Sequence, residues 1–231
     1  YGDGKEITRA QSGEDGEADL RIPEGERRPW CPEDPFLYEI EIRLGEDSVR
    51  SYTALRKYEI RRDDHGILRF FLNGKPYFLH GLLDQGYWKE GLYTPPSDEA
   101  MRQDIRRARS LGFNMLRKHV KIEAERWYYH CDRMGMIVWQ DMVNGGGTYK
   151  TWFVTYAANI FLPLLRGWKD HRYSMTARTD EKERQRYYEE LEEMVRQLYN
   201  HPSIACWTPF NEGWGQFDAG EAVKLLRSLD T

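Results

Sequence analysis

The chain has 231 residues, short for a closed barrel of eight βα units, which typically needs about 250. Charged residues make up 31%, hydrophobic ones 40% and aromatics 14%, a globular composition rich in rings and neither disordered nor fibrous. The 38 acids against 34 bases leave a net charge of −4, which removes the electrostatic case for a dedicated nucleic-acid or anionic-membrane binder and points to neutral partners. In chain order, residues 1–29 are rich in Gly, Glu, Asp and Arg, and only short patches such as 18–22 alternate as a strand would. Over 36–44, Tyr38, Ile40, Ile42 and Leu44 fall on one face with charges between them, which predicts a half-buried antiparallel strand. Gly45-Glu46-Asp47 turns into a second strand over about 49–60, so that residues 1–65 form part of a small β-domain, too short for a whole sandwich of about 100 residues.

Asn73-Gly74, between apolar runs at 67–72 and 75–79, is the strongest short hairpin signal, because both residues tolerate the positive φ of a type I′ turn. The period then changes from two to 3.6. Ser97 caps a helix that runs through Ile105, Ala108 and Leu111 to a stop at Gly112; a second helix over about 123–134 stops at Gly135. A third runs over about 181–199 and ends before Pro202, and a fourth starts near Asp218. Strands at about 78–82, 114–118, 136–140 and 203–208 alternate with these helices. Four consecutive βα units are half of a (β/α)8 barrel, so the fold class is α/β, with residues 66–231 as the N-terminal half of the barrel. An insertion at about 142–180, with three consecutive glycines and several aromatics, is long enough to be a functional loop.

In a βα barrel the chemistry lies at the C-terminal ends of the strands. The first strand delivers His80, Asp84 and Gln85; the second Arg117, Lys118 and His119; the third Gln140 and Asp141; the fourth Asn211 and Glu212. In Trp207-Thr208-Pro209-Phe210-Asn211-Glu212-Gly213-Trp214, an acid directly after a buried strand and between tryptophans is partly desolvated, which raises a carboxyl pKa toward that of a general acid. The Asn211 amide suits a substrate hydroxyl, and Trp207 and Trp214 offer flat faces to sugar rings. Gly145-Gly146-Gly147-Thr148-Tyr149-Lys150 lacks the spacing of a phosphate loop and reads as a flexible segment. His80, His119, Asp141 and Glu212 would be a metal-dependent hydrolase site only with a His-x-His pair that is missing, so no metal or other cofactor is expected. Cys31, Cys131 and Cys206 are too dispersed for a disulfide framework or a zinc site and read as free thiols. No apolar run approaches the roughly 20 residues of a bilayer span, and Tyr1 is followed by no leader pattern, which leaves cytoplasmic, periplasmic and secreted locations open.

Asn211-Glu212 after the fourth strand resembles the Asn-Glu motif of retaining β-glycosidases with (β/α)8 barrels, in particular glycoside hydrolase family 2, which includes β-galactosidases, β-glucuronidases and β-mannosidases. Pro32-Glu33-Asp34-Pro35-Phe36-Leu37-Tyr38 is similar to that family's Pro-Glu-x-Pro-x-Leu-Tyr in its immunoglobulin-like domain. Phe71-Leu72-Asn73-Gly74-Lys75-Pro76 with Gly81 resembles its barrel-opening segment, and Gly112-Phe113-Asn114-Met115-Leu116-Arg117 with His119 its second strand. Leu83-Asp84-Gln85 and Trp139-Gln140-Asp141 depart from the family pattern.

The resemblance implies that residues 1–65 are part of an immunoglobulin-like β-sandwich. It also implies retaining hydrolysis of β-glycosides through two carboxylates about 5–5.5 Å apart. Glu212 matches the general acid/base; the nucleophilic Glu belongs to a seventh strand, expected beyond this chain, which reads as truncated at both ends. Asn211, His119, Asp84, Asp141, Arg117, Trp207 and Trp214 are the expected substrate contacts, and Arg117 is expected to orient acids. The partner is a carbohydrate, with no nucleic acid or membrane, and a homo-oligomer is left open. A half barrel alone is expected to be inactive, which leaves a non-catalytic carbohydrate-binding fragment as the alternative and, behind it, a metal-dependent barrel hydrolase.

Overall fold

A computed structural model describes residues 1–150, 152, 156, 169–211 and 215–230. The N-terminal part is antiparallel. Strands β1 (Tyr38–Leu44) and β2 (Asp47–Thr53) form a two-stranded ribbon, and β3 (Tyr58–Arg62), β4 (Leu68–Leu72) and β5 (Lys75–Pro76) a second small sheet. The expected long second strand is therefore two strands in two sheets. The chain breaks between them where the Leu55 carbonyl accepts the backbone N–H of Trp30. The turn at Asn73-Gly74 has positive φ at both residues, 51° and 78°, as its type requires, but its second arm is only two residues long. The apolar face of β1 is covered at Tyr38 and open further on, with Ile42 and Leu44 exposed, because no described element packs over the far end of the ribbon. Residues 18–22 form no strand; a short 3₁₀ turn, Glu24–Glu26, follows them.

Beyond this lies a four-stranded parallel sheet in the order β6 (Gly81–Asp84), β7 (Met115–Lys118), β8 (Ile137–Asp141), β9 (Ile204–Thr208). Helices α1 (Asp98–Ser110), α2 (Glu125–Met134), α3 (Glu181–Leu198) and α4 (Ala219–Leu229) follow the successive strands. Ser97 Oγ accepts the N–H of Ala100 to start α1, and Gly135, in the left-handed region, stops α2. Between β8 and α3, residues 151, 153–155 and 157–168 lie outside the described residues, and with them the middle of the expected insertion.

Each face of the parallel sheet carries a buried cluster at its inner strands, while the edge strand β6 stays open at Leu82 and Leu83. Leu116, Val138 and Ile204 pack against the helices in a core that includes Ile105, Trp127, Tyr128, Leu191 and Phe217. On the other face, Ile137 packs with Trp30 and Leu72 of the β-region, flanked by Met115, Trp139 and Ala205. The β-region is also tied to the N-terminal end of the sheet by polar contacts. Trp30 Nε1 donates to the Asp132 carbonyl (2.7 Å), and Tyr52 Oη to Asp132 Oδ2 (2.7 Å), beside His201 Nδ1, 2.7 Å from the same oxygen. The three-stranded sheet straddles residues 65 and 66, since β3 precedes that point and β4 follows it.

Candidate active site

The first strand begins later than its sequence pattern suggests, at Gly81, so His80 precedes β6 and lies at the N-terminal end of the sheet, with its ring against Phe113 (4.5 Å between centroids). It therefore cannot share a site with Asp141, at the C-terminal end of β8. Asn114 fixes this end, its Oδ1 accepting from His80 N (2.8 Å) and its Nδ2 donating to the Phe78 carbonyl (2.8 Å).

At the C-terminal ends, Arg117 faces the side of the sheet away from the helices, since its register partner is Trp139 and the intervening Leu116 and Lys118 point to the helices. Its guanidinium forks onto the carboxylate of Asp141 (Nε–Oδ1 3.0 Å, Nη2–Oδ2 2.9 Å) and donates from Nη2 to Asn211 Oδ1 (2.9 Å). Three successive strand ends are thus joined by one cation. The Asp141 side chain is wholly buried while about a third of the Arg117 side chain is exposed, so the buried charge is compensated and the exposed one faces solvent. Since Asn211 Oδ1 receives Arg117, its Nδ2 donors pair with no described residue. His119 meets the β6 end: Gln85 Nε2 donates to His119 Nδ1 (3.2 Å), which puts the neutral ring's proton on Nε2.

Asp84 and Trp207 are not brought to this cluster. Asp84 is the register partner of Lys118 and takes its Nζ (2.9 Å), together with the N–H of Gly86 (2.9 Å). Trp207 turns to the helix layer and donates its indole N–H to Asp230 (2.7 Å). The cause is a slip of one residue in the β8–β9 register: Val138 pairs with Ile204 but Trp139 with Cys206, so Trp207 comes level with Gln140 on the helix side and Thr208 with Asp141.

Glu212 and Trp214 lie outside the described residues. The chain on either side of them is held firmly. Asn144 Nδ2 donates to the Asn211 carbonyl (3.1 Å), and Arg178 Nε to the Gly215 carbonyl (2.8 Å). Gly215 has a φ of 74°, and a Cβ there would sit 2.6 Å from the Gly145 carbonyl, so only glycine allows this approach. Arg178 is buried between Tyr187 and Phe217, with its guanidinium about 5 Å from both rings, and burial pushes its pKa down. Phe210 stacks on Tyr187 (4.9 Å, 7°), whose hydroxyl donates to the Pro209 carbonyl.

A second charged group lies under the neighbouring loops. Lys118, 1% exposed, joins Asp84 and Glu123 (3.1 Å) and sits 4.0 Å above the Trp127 ring; Lys121 reaches the same Glu123 oxygen (2.7 Å). Lys121, Asn144 and Arg178 were not legible as site residues, because each works through contacts far from it in the chain, whereas Glu123 meets Lys118 and Lys121 within five residues. For Lys118 the strand alternation is a usable signal: it marks a lysine facing the helix layer, which must find partners. Among the described residues no three His, Cys, Asp or Glu side chains cluster as metal ligands, and no helix is long and apolar enough to cross a membrane.

The family model described as "Glycosyl hydrolases family 2, TIM barrel domain" matches residues 66–231. The chain is 30% identical over 188 residues to a beta-glucuronidase of Bacteroides fragilis, covering 78% of this chain and 23% of that protein. To a beta-galactosidase of Leuconostoc mesenteroides it is 28% identical over 209 residues, covering 87% of this chain and 17% of that one. Among solved structures, a beta-D-glucuronidase from Dictyoglomus thermophilum superposes with a TM-score of 0.70 at 18% identity, over 97% of this chain and 37% of its own. A GH2 beta-galacturonidase from Eisenbergiella tayi bound to galacturonate gives 0.65 at 22%, over 93% and 35%. These two likenesses are of fold, and the chain spans about a fifth of the length of the curated relatives it matches, 17–23% for three of them. With a family model matched over most of its length and a parallel sheet whose strand ends carry a linked polar cluster, this chain belongs to glycosyl hydrolase family 2, a family of glycoside hydrolases.

Proposed function

We propose that this chain supplies the acid/base half of the active centre of a retaining β-glycosidase. Residues 66–231 are the first half of its barrel, and residues 1–65 belong to an immunoglobulin-like domain. The observation that carries the reading is the Arg117 guanidinium, which ties Asp141 to Asn211, the residue directly before Glu212. In this mechanism Glu212 protonates the glycosidic oxygen while a second carboxylate, on a strand outside these four, attacks the anomeric carbon. Glu212 then takes a proton from the water that releases the sugar. Asn211, its oxygen occupied by Arg117, offers its Nδ2 donors to a ring hydroxyl, and His119 presents an Nε2 donor. Asp84 and Trp207 support these groups from the helix side, and Trp214 is the remaining candidate for a stacking face. The relatives named for glucuronides and galactosides support a β-linked sugar substrate without choosing among sugars.

The test is Glu212→Gln in the enzyme with its complete barrel. Turnover of β-glycosides with poor leaving groups is expected to fall about 10²- to 10⁴-fold, with azide partly restoring turnover of activated aryl glycosides. Unchanged turnover of the poor substrates would remove Glu212 from the mechanism.

A further inference from the structure

Lys121 is buried beneath the loop that follows β6, and each of its three donors is engaged. They go to Glu123 (2.7 Å), the Gly86 carbonyl (2.8 Å) and the Tyr93 carbonyl (2.7 Å). The two carbonyls stand at the two ends of residues 86–93, so one ammonium closes that loop. Inside it the backbones of Trp88 and Leu92 pair in both directions (2.7 and 2.9 Å), and the hydroxyls of Tyr87 and Tyr93 meet at 2.7 Å. Gly86 has a φ of 63°, and a Cβ there would collide with Glu123 Oε1 and stand 2.7 Å from Lys121 Nζ, so only glycine lets the loop come this close. Val120, at a φ of 52°, takes a left-handed conformation that a β-branched residue avoids; the chain turns there and brings Lys121 under the loop.

The residue held by this arrangement is Gln85. It stands between Asp84, whose carboxylate takes Lys118 Nζ (2.9 Å) and the Gly86 N–H (2.9 Å), and Gly86, whose carbonyl takes Lys121. Gln85 Nε2 donates to His119 Nδ1 (3.2 Å), and the His119 N–H donates to the Asp84 carbonyl (2.9 Å). Strand alternation places Asp84 and Lys118 on the helix side, and Gln85 and His119 on the side of Arg117. At 3.2 Å the Gln85–His119 bond is near the outer limit for its kind, so a backbone shift of about half an ångström would break it. Of the charged side chains at the adjoining strand ends, Asp84 is paired with Lys118 and Asp141 with Arg117. That leaves Gln85 as the described partner of the ring.

We propose that Gln85 is a positioning residue that keeps His119 a hydrogen-bond donor toward the sugar, and that the buried Lys121 locks Gln85 in place. A neutral imidazole carries one proton, and an amide N–H on Nδ1 leaves it on Nε2. The inference rests on the hydrolase reading above and deepens it by naming what sets the proton of one substrate contact.

In the enzyme with its complete barrel, Gln85→Glu changes an exposed residue and puts an acceptor against Nδ1. Below the pKa of the ring, which the carboxylate raises above an imidazole's ordinary value of about 6.5, both nitrogens keep their protons. Above it the remaining proton stays on Nδ1 and Nε2 is bare. The ratio of the variant's kcat/KM to that of the unsubstituted enzyme is therefore expected to fall about tenfold as the pH rises from about 5.5 to 8. Adding Lys121→Met, or Gly86→Ala should the first fail to fold, releases the loop and is expected to flatten that fall. A ratio independent of pH shows that residue 85 does not set the proton on His119. A fall that persists undiminished in the double variant shows that Lys121 does not hold residue 85. Either result overturns the inference and leaves the hydrolase reading standing. The imidazole nitrogen NMR shifts of His119 in the unsubstituted enzyme report the tautomer without substrate: a protonated Nε2 and a bare Nδ1 are expected, and the reverse overturns the inference. A failure of the hydrolase reading, read from Glu212→Gln, is thereby told apart from a failure of this one.

Discussion

Arg117 is the residue on which the candidate site depends most. Its planar fork satisfies both oxygens of a carboxylate with no exposed surface and still reaches Asn211, geometry that a lysine's single ammonium cannot reproduce. Arg117→Lys in the enzyme with its complete barrel is therefore expected to lower kcat/KM roughly 10- to 100-fold, the cost of losing one or two charge-assisted bonds, with the overall fold kept. Steady-state kinetics and circular dichroism check this together, and full activity would show that Asn211 is held without it. Arg117, Asp141 and Asn211 were legible in the sequence, because strand ends in a βα fold collect polar groups and all three follow apolar runs. The partners of Asp84 were less so. Its carboxylate meets Lys118 and, through it, Glu123 and Lys121, and nothing in residues 81–86 indicates that.

At the scale of elements, the loops carry more of the site than the strands. The segment after β9 is fixed by the loop after β8 and by Arg178, through Asn144 at Asn211 and Arg178 at Gly215. The close approach at Gly215 makes a local test. Gly215→Ala places a methyl group against the Gly145 carbonyl at a positive φ and is expected to cost about 1 kcal/mol or more of stability. The larger effect is expected on kcat/KM of the complete enzyme, because Gly215 and Asn211 are held by the same loop after β8 and Asn211 is expected to shift with it. Chemical denaturation and kinetics on the same variant separate the two effects, and an unaltered kcat/KM would show that the anchor does not position Asn211. The helices were the most legible elements: their caps and apolar spacing are local, so Ser97 and Gly135 marked real ends. Strand limits were less so, since a short apolar run such as 78–82 does not reveal which of its residues find a neighbouring strand.

For the whole molecule, the β-region is part of the core of the parallel sheet. Trp30 is fully buried against Ile137 and Leu72 and bonds across to Asp132, about a hundred residues away in the chain. Trp30→Ala is expected to destabilise the protein by about 3–5 kcal/mol, read as a lower denaturation midpoint, because it leaves a large cavity and an unpaired carbonyl. A loss below 1 kcal/mol would mean that the two regions are only loosely joined. The sequence by itself determined the alternation of helices and strands, the residues at the strand ends and the family motifs, because periodicity, caps and turn chemistry act over a few residues. Only the tertiary structure decided which face each strand residue takes. A one-residue slip between β8 and β9 turned Trp207 to the helices, and the late start of β6 put His80 at the far end of the sheet. Register depends on hydrogen bonding between segments distant in the chain, and no local pattern records it.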